Sequence, residues 1–132
     1  MPQGPLRPDE EEFAVKYMLL IIGNQDAEPP TAEPGQGLME AFMVYHQSVV
    51  EAGVMVDSNV LDSFETATSV QVASSGERLV TDGPFAETRD YLGGYYVLDL
   101  PNLDAAIDWA GRCPGSRYGR IEIRPIQDFN AP

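Results

Sequence analysis

At 132 residues, with 43% hydrophobic side chains, the chain has the length and apolar content of one globular domain. It carries 21 Asp and Glu against 8 Lys and Arg, a formal charge of −13 at pH 7. So acidic a surface repels phosphate backbones and anionic bilayers, which sets nucleic-acid and membrane-surface roles aside.

Met1 to Ala14 is polar, with three prolines and the acidic run Asp9-Glu10-Glu11-Glu12, and reads as a mobile tail. It has no basic region followed by an apolar one, so no secretory signal and a cytoplasmic location are expected. Tyr17 to Ile22 is the longest apolar run, far short of the roughly 18–20 residues a membrane-spanning helix needs. An apolar run without alternation predicts a strand buried on both faces. Gly23 to Gly37, rich in Pro, Glu and Gly, predicts a long loop that serves as a flap or rim.

A helix is predicted over about Gly37 to Ala52. Leu38, Phe42, Tyr45, Val49 and Ala52 form its apolar stripe, and Gly53 stops it. His46, the chain's one histidine, borders that stripe. It reads either as a satisfied, partly buried ring or as an acid–base group. Val54 to Leu61 reads as a strand with Val54, Val56 and Val60 on one face and Met55, Asp57, Asn59 and Leu61 on the other. If the second face is interior, Asp57 and Asn59 line a pocket; if it is solvated, they carry no such meaning.

Thr66 to Ala73 and Arg78 to Thr81 predict a hairpin about Ser74-Ser75-Gly76-Glu77. Thr81-Asp82-Gly83-Pro84-Phe85-Ala86-Glu87 follows. Asp, Gly and Pro together make a stiff bend, and a large ring at once after it needs a packing partner. The bend is either a structural turn plugged by Phe85 or the lip of a pocket that presents Asp82. Glu87 to Asp90 predicts a short helical turn. Leu92 to Leu100 is a further nearly all-apolar strand. Its Gly93-Gly94 pair suits a close backbone approach, and Tyr95 and Tyr96 must point to opposite faces.

Asn102 caps a second predicted helix whose stripe is Leu103, Ala106, Ile107 and Ala110, with Trp109 at its flank. Cys113 sits at that helix's C-terminal end, where the dipole disfavours a thiolate, so it reads as a small apolar residue. One cysteine excludes an internal disulfide, and one cysteine with one histidine excludes the usual zinc ligand set. A carboxylate site for a hard cation stays open, although no EF-hand loop is present. Gly119 to Ile126 is the last strand, with Ile121 and Ile123 inward and Glu122 and Arg124 outward. Residues 128–132 read as a tail, leaving a domain over 15–127.

The order strand, helix, strand, hairpin, strand, helix, strand predicts an α+β fold. It is a ferredoxin-like split βαβ arrangement with an inserted hairpin and an antiparallel sheet. Both helices cover one face. Strands apolar on both faces require a cover for the other, which predicts a homodimer with a barrel-like interior; a monomer closed by its own loop and hairpin is the alternative.

The run Thr81 to Glu87 followed by Leu92-Gly93-Gly94-Tyr95-Tyr96 resembles the DGPF branch of the YCII-related domain family. Tyr17 to Gly23, Thr66-Ala67-Thr68-Ser69-Val70 and Ala105 to Pro114 extend the likeness over about Lys16 to Ile126. The resemblance implies a ferredoxin-like fold and a dimeric α/β barrel. Some such proteins occur beside or fused to extracytoplasmic-function sigma factors. Shorter relatives carry a His-Asp pair proposed as catalytic, but counting back from Gly53 puts that histidine near Phe42, not at His46.

Two functions are compatible with the sequence. One is a small-molecule-binding protein or enzyme with a site in the dimer interior beside the bend. There Asp82, with His46 as a second candidate, is acid, base or polar anchor. Phe85 and Tyr95 form a wall, Arg89 holds a carboxylate, and Asp57 adds a polar group. The other is a regulatory or interaction module for a basic partner such as a sigma factor. No phosphate loop, nucleophile elbow or dinucleotide fingerprint is present, so no cofactor is expected and the reaction class is not specified.

Overall fold

Two long apolar strands make the spine of the domain: β1 (Val15–Asn24) and β5 (Asp90–Leu100), paired antiparallel along their whole length. The computed structural model describes residues 15–26, 36–83 and 89–129. The expected tail at 1–14, most of the first loop, residues 84–88 with Phe85, and the last three residues lie outside the described residues.

The remaining elements follow the predicted order. They are α1 (Gln36–Ala52), β2 (Met55–Val60), β3 (Thr68–Val72), β4 (Arg78–Asp82), α2 (Leu103–Arg112) and β6 (Gly119–Pro125), with 3₁₀ turns at Phe64–Thr66 and Pro114–Arg117. The main sheet has the order β2-β5-β1-β6 and all its pairs are antiparallel. With the hairpin set aside, that is the order of a split βαβ, compatible with a ferredoxin-like fold. β3 and β4 pair only with each other, as a separate two-stranded ribbon. Asp90 belongs to β5 and not to a helical turn.

Local signals account for the element ends. Gly53 ends α1 at φ 72°, a backbone angle glycine adopts without strain. The Asn102 side chain accepts the Ala105 N–H at 2.9 Å and starts α2. Alternation then divides the spine. Tyr17 and Leu19 of β1 and Tyr96, Leu98 and Leu100 of β5 join Tyr45 and Val49 of α1, Ala106 and Ala110 of α2, and Cys113 just after it in one buried core. Met18, Leu20 and Ile22 alternate to the opposite face, beside Tyr95 and Val97.

Two expectations are corrected. Leu103 and Ile107 are about half exposed, because α2 seats its small residues Ala106 and Ala110 on the sheet; its inward face is shifted toward Trp109 and Cys113. In β2 the expected common face of Met55, Asp57 and Asn59 is broken. Met55 pairs with Leu98 but Asp57 pairs with Val97, so a bulge at Val56 resets the alternation. Met55 therefore packs toward the helices while Asp57 and Asn59 turn to the open face.

Gly94 permits the tight contact between β5 and β2. A Cβ there would lie 2.7 Å from the Asn59 carbonyl oxygen, whereas one on Gly93 would meet only ordinary contacts at 3.6 Å and beyond. Gly94→Ala is expected to cost about 1–3 kcal/mol in urea unfolding, from backbone displacement. Gly93→Ala should cost less, and equal losses at the two positions would contradict this packing.

Candidate functional site

Adjacent tyrosines on β5 organise two polar clusters on opposite sides of the same sheet. Tyr96 points under the helices and is 5% exposed. Its ring meets the Tyr45 ring edge-on, with centroids 5.4 Å apart. Its hydroxyl lies 2.8 Å from His46 Nδ1. Burial raises the Tyr96 pKa, and a hydrogen bond from Ser58, directly across the strand pair, pulls it partly back. The tautomer of the His46 ring sets which of the Tyr96 hydroxyl and Nδ1 donates in this bond. His46 itself is exposed, not partly buried, because α1 holds its ring at the helix edge and only Nδ1 turns inward.

Tyr95 points to the open face. Its hydroxyl donates to Asp57 Oδ2 at 3.0 Å and accepts from Asn59 Nδ2 at 2.8 Å. The Ser58 backbone N–H donates to Asp57 Oδ1 at 2.9 Å, so the carboxylate is oriented from both ends. Beside this cluster runs an apolar strip of Met18, Leu20, Ile22 and Val97. Val97 is 7% exposed although it does not belong to the helix-side core. On the far rim β6 sets Arg124 against Met18, Glu122 against Leu20 and Arg120 against Ile22. The open face is thus an apolar trough with a carboxylate–phenol–amide cluster on one bank and alternating charges on the other.

The trough ends at a third cluster. Asp90 accepts from Arg120 at 2.6 Å and from Asn24 Nδ2 at 2.8 Å. These bonds, with Arg120 the larger cause, hold the Asp90 carboxyl below its ordinary 3.8. Asn24 also accepts the Asp26 N–H at 2.7 Å, which closes the turn after β1.

The structure brings some of the predicted site residues together and separates others. Tyr95 and Asp57 meet, with Asn59 as the third member. His46 belongs to the other face, bound to Tyr96. Asp82 ends β4 opposite Thr68 and is exposed, and its side chain makes no hydrogen bond or ion pair among the described residues. Gly83 beside it adopts φ 97° and its N–H donates to the Ala67 carbonyl at 2.7 Å, which ties the ribbon end to the chain before β3. Arg89 pairs with Asp26 at 3.1 Å, both exposed. Phe85 lies outside the described residues. Sequence reasoning set Tyr96 on the face opposite Tyr95 without a site role, and did not single out Ser58, Asn24 or Arg120. For Arg120 the signal was present in its outward alternation with Ile121.

Cys113 is 2% exposed, and burial pushes its thiol up, so it stays an unionised core residue. Among the described residues no group of three His, Cys, Asp or Glu side chains is placed to hold a metal ion. No described helix is long and apolar enough to cross a membrane.

The model of the YCII-related domain family matches residues 15–130. An uncharacterised protein of Rhizobium meliloti is 33% identical over 96 residues, which cover 71% of this chain and 77% of that protein.

The Asp90 cluster gives a pH dependence with a defined sign. Its folded carboxyl titrates below its unfolded one, so its contribution is complete above the unfolded value and is lost as pH falls through the folded one. Asp90→Asn should therefore lower Tm at pH 7, with the gap closing as the pH drops below about 4. A gap unchanged from neutral pH to pH 3 would contradict the assignment.

Proposed function

This chain belongs to the YCII-related domain family, and we propose that it is a small-molecule-binding protein whose site is the open face of the main sheet. The observation that carries the reading is the Asp57–Tyr95–Asn59 cluster beside the Met18, Leu20, Ile22 and Val97 strip. An apolar surface with a few convergent polar groups is the usual composition of a ligand site. The ligand class it fits is a compact apolar molecule with a hydrogen-bond donor directed at Asp57. In this reading a second copy of the chain covers the face and encloses the ligand between two sheets. Burying Met18, Leu20 or Ile22 in this way is worth about 1.5–3 kcal/mol for each fully covered side chain. Asp82 is retained as a polar group at the rim, beside the bend. His46, held by a neutral phenol on the other face, supplies an exposed Nε2 but no route to this trough.

A second reading has its own observation. Val70 and Val80 pair across the ribbon and are 58% and 63% exposed, with Val72 and Leu79 exposed beside them. An uncovered apolar ribbon suits a protein contact, and a regulatory module that engages a partner such as a sigma factor would use it.

A fragment screen read by methyl NMR tests the first reading. Binding fragments should shift the Met18, Leu20, Ile22 and Val97 methyl resonances. Asp57→Asn and Tyr95→Phe should weaken them roughly tenfold, the cost of one charged hydrogen bond, with Tm little changed. Asp82→Asn should weaken them less. Fragments that leave these methyls unmoved, or that bind both variants as the wild type, would overturn the reading.

A further inference from the structure

A separate concavity lies in the helix layer, on the other side of the sheet from the trough. One side of α1 from Gly37 to Ser48, the end of α2 and the turn after it, with Tyr118, wall an open cleft of about 600 Å³. Leu38, Ala41, Val44 and Pro114 make its surface apolar, and Tyr45 and Tyr118 add two rings. The charged residues lining it are Arg112 and Arg117.

That lining departs from the rest of the molecule. The chain has 21 acidic side chains and 8 basic ones, yet among the described residues no Asp or Glu lines the cleft and two cations do. Outside the cleft, Arg89 pairs with Asp26 at 3.1 Å and Arg120 with Asp90 at 2.6 Å, while Arg78 and Arg124 make no ion pair among the described residues. Arg117 makes no ion pair among the described residues. Arg112 has only a long pair with Asp108, at 3.5 Å, and stacks 4.0 Å from the Trp109 ring centroid. Stacking fixes the guanidinium plane and leaves edge N–H groups for another acceptor. Arg112 also opposes the upward shift of the Tyr45 pKa, so its field reaches the cleft wall. The first turn of α1 carries no acidic side chain, and its N–H groups have no acceptor within the helix.

We propose that this cleft binds a small monocarboxylate, its carboxylate on Arg112 and Arg117 and its apolar body against Leu38 and Val44. Two guanidinium groups match a carboxylate in geometry and charge. The apolar lining excludes a ligand that is polar throughout. The charge of the whole protein favours one negative charge over two, since its repulsion scales with ligand charge. The site is independent of the trough.

Phenylacetate is the probe, with phenylacetamide as its neutral analogue and phenyl phosphate as its dianionic one. In NMR titrations phenylacetate should shift the amides of Val44, Ser48, Arg117 and Tyr118, and bind at least about tenfold more tightly than phenylacetamide. Phenyl phosphate should bind more weakly than phenylacetate. Arg112 also packs on Trp109, so Arg117 is the position to vary. Arg117→Gln should weaken phenylacetate about tenfold with Tm unchanged, and Arg89→Gln, outside the cleft, should leave it as in the wild type. Tighter binding of phenyl phosphate would replace the monocarboxylate assignment with a phosphate site. Equal binding of acid and amide, no saturation by about 10 mM, or no effect of Arg117→Gln would overturn the proposal.

Discussion

The register of β1 against β5 is the constraint on which everything else rests. Both strands are apolar on both faces, so the sequence pattern alone does not say which residues face the helices. The pairing decides it: Leu19 lies opposite Tyr96 and Leu20 opposite Tyr95. A slip of one residue would exchange the two tyrosines between core and open face. It would remove the edge-on contact of Tyr96 with the Tyr45 ring and put the Asp57–Asn59 pair beside the wrong phenol. The irregularity between Ile21 and Ile22 fixes that register, and the close approach at Gly94 fixes how β2 lies against β5.

Much of the fold was legible in the sequence because it is written in local signals. Asn102, Gly53 and the two apolar strands each act over a few residues, and the structure places each where its chemistry requires. The misreadings have a common physical origin in tertiary packing. Strict alternation put Met55 and Asp57 on one face, and the bulge at Val56 separated them. Helical spacing put Leu103 and Ile107 inward, but the alanines let α2 seat closer to the sheet on a neighbouring face. The site was legible only in part for the same reason. Tyr95 and Asp57 were singled out separately, 38 residues apart, and their contact follows from the bulge. The His46–Tyr96 pair spans 50 residues and depends on how α1 lies on the sheet. The Asp-Gly-Pro-Phe run, the most distinctive stretch of sequence, continues into residues outside those described. Its described part ends an exposed ribbon.

Charge and apolarity are distributed to a common plan. The helix layer closes one side of the sheet around a core with no buried charged or polar residue among the described residues. Polar side chains of β2, β5 and β6 line the banks of the trough on the opposite side. The proposed carboxylate cleft sits where, among the described residues, two arginines and no acid form the charged lining. The two proposed sites call for different ligand charge, so neither can stand in for the other.

The central claim is that the open face is a covered, ligand-holding surface and not a solvated one. A native mass spectrum of the purified protein, compared with its denatured spectrum, tests it most directly. The account predicts a species at twice the 14.5 kDa chain mass, with a small additional mass lost on denaturation. A monomer at the bare chain mass, with nothing bound, would contradict it.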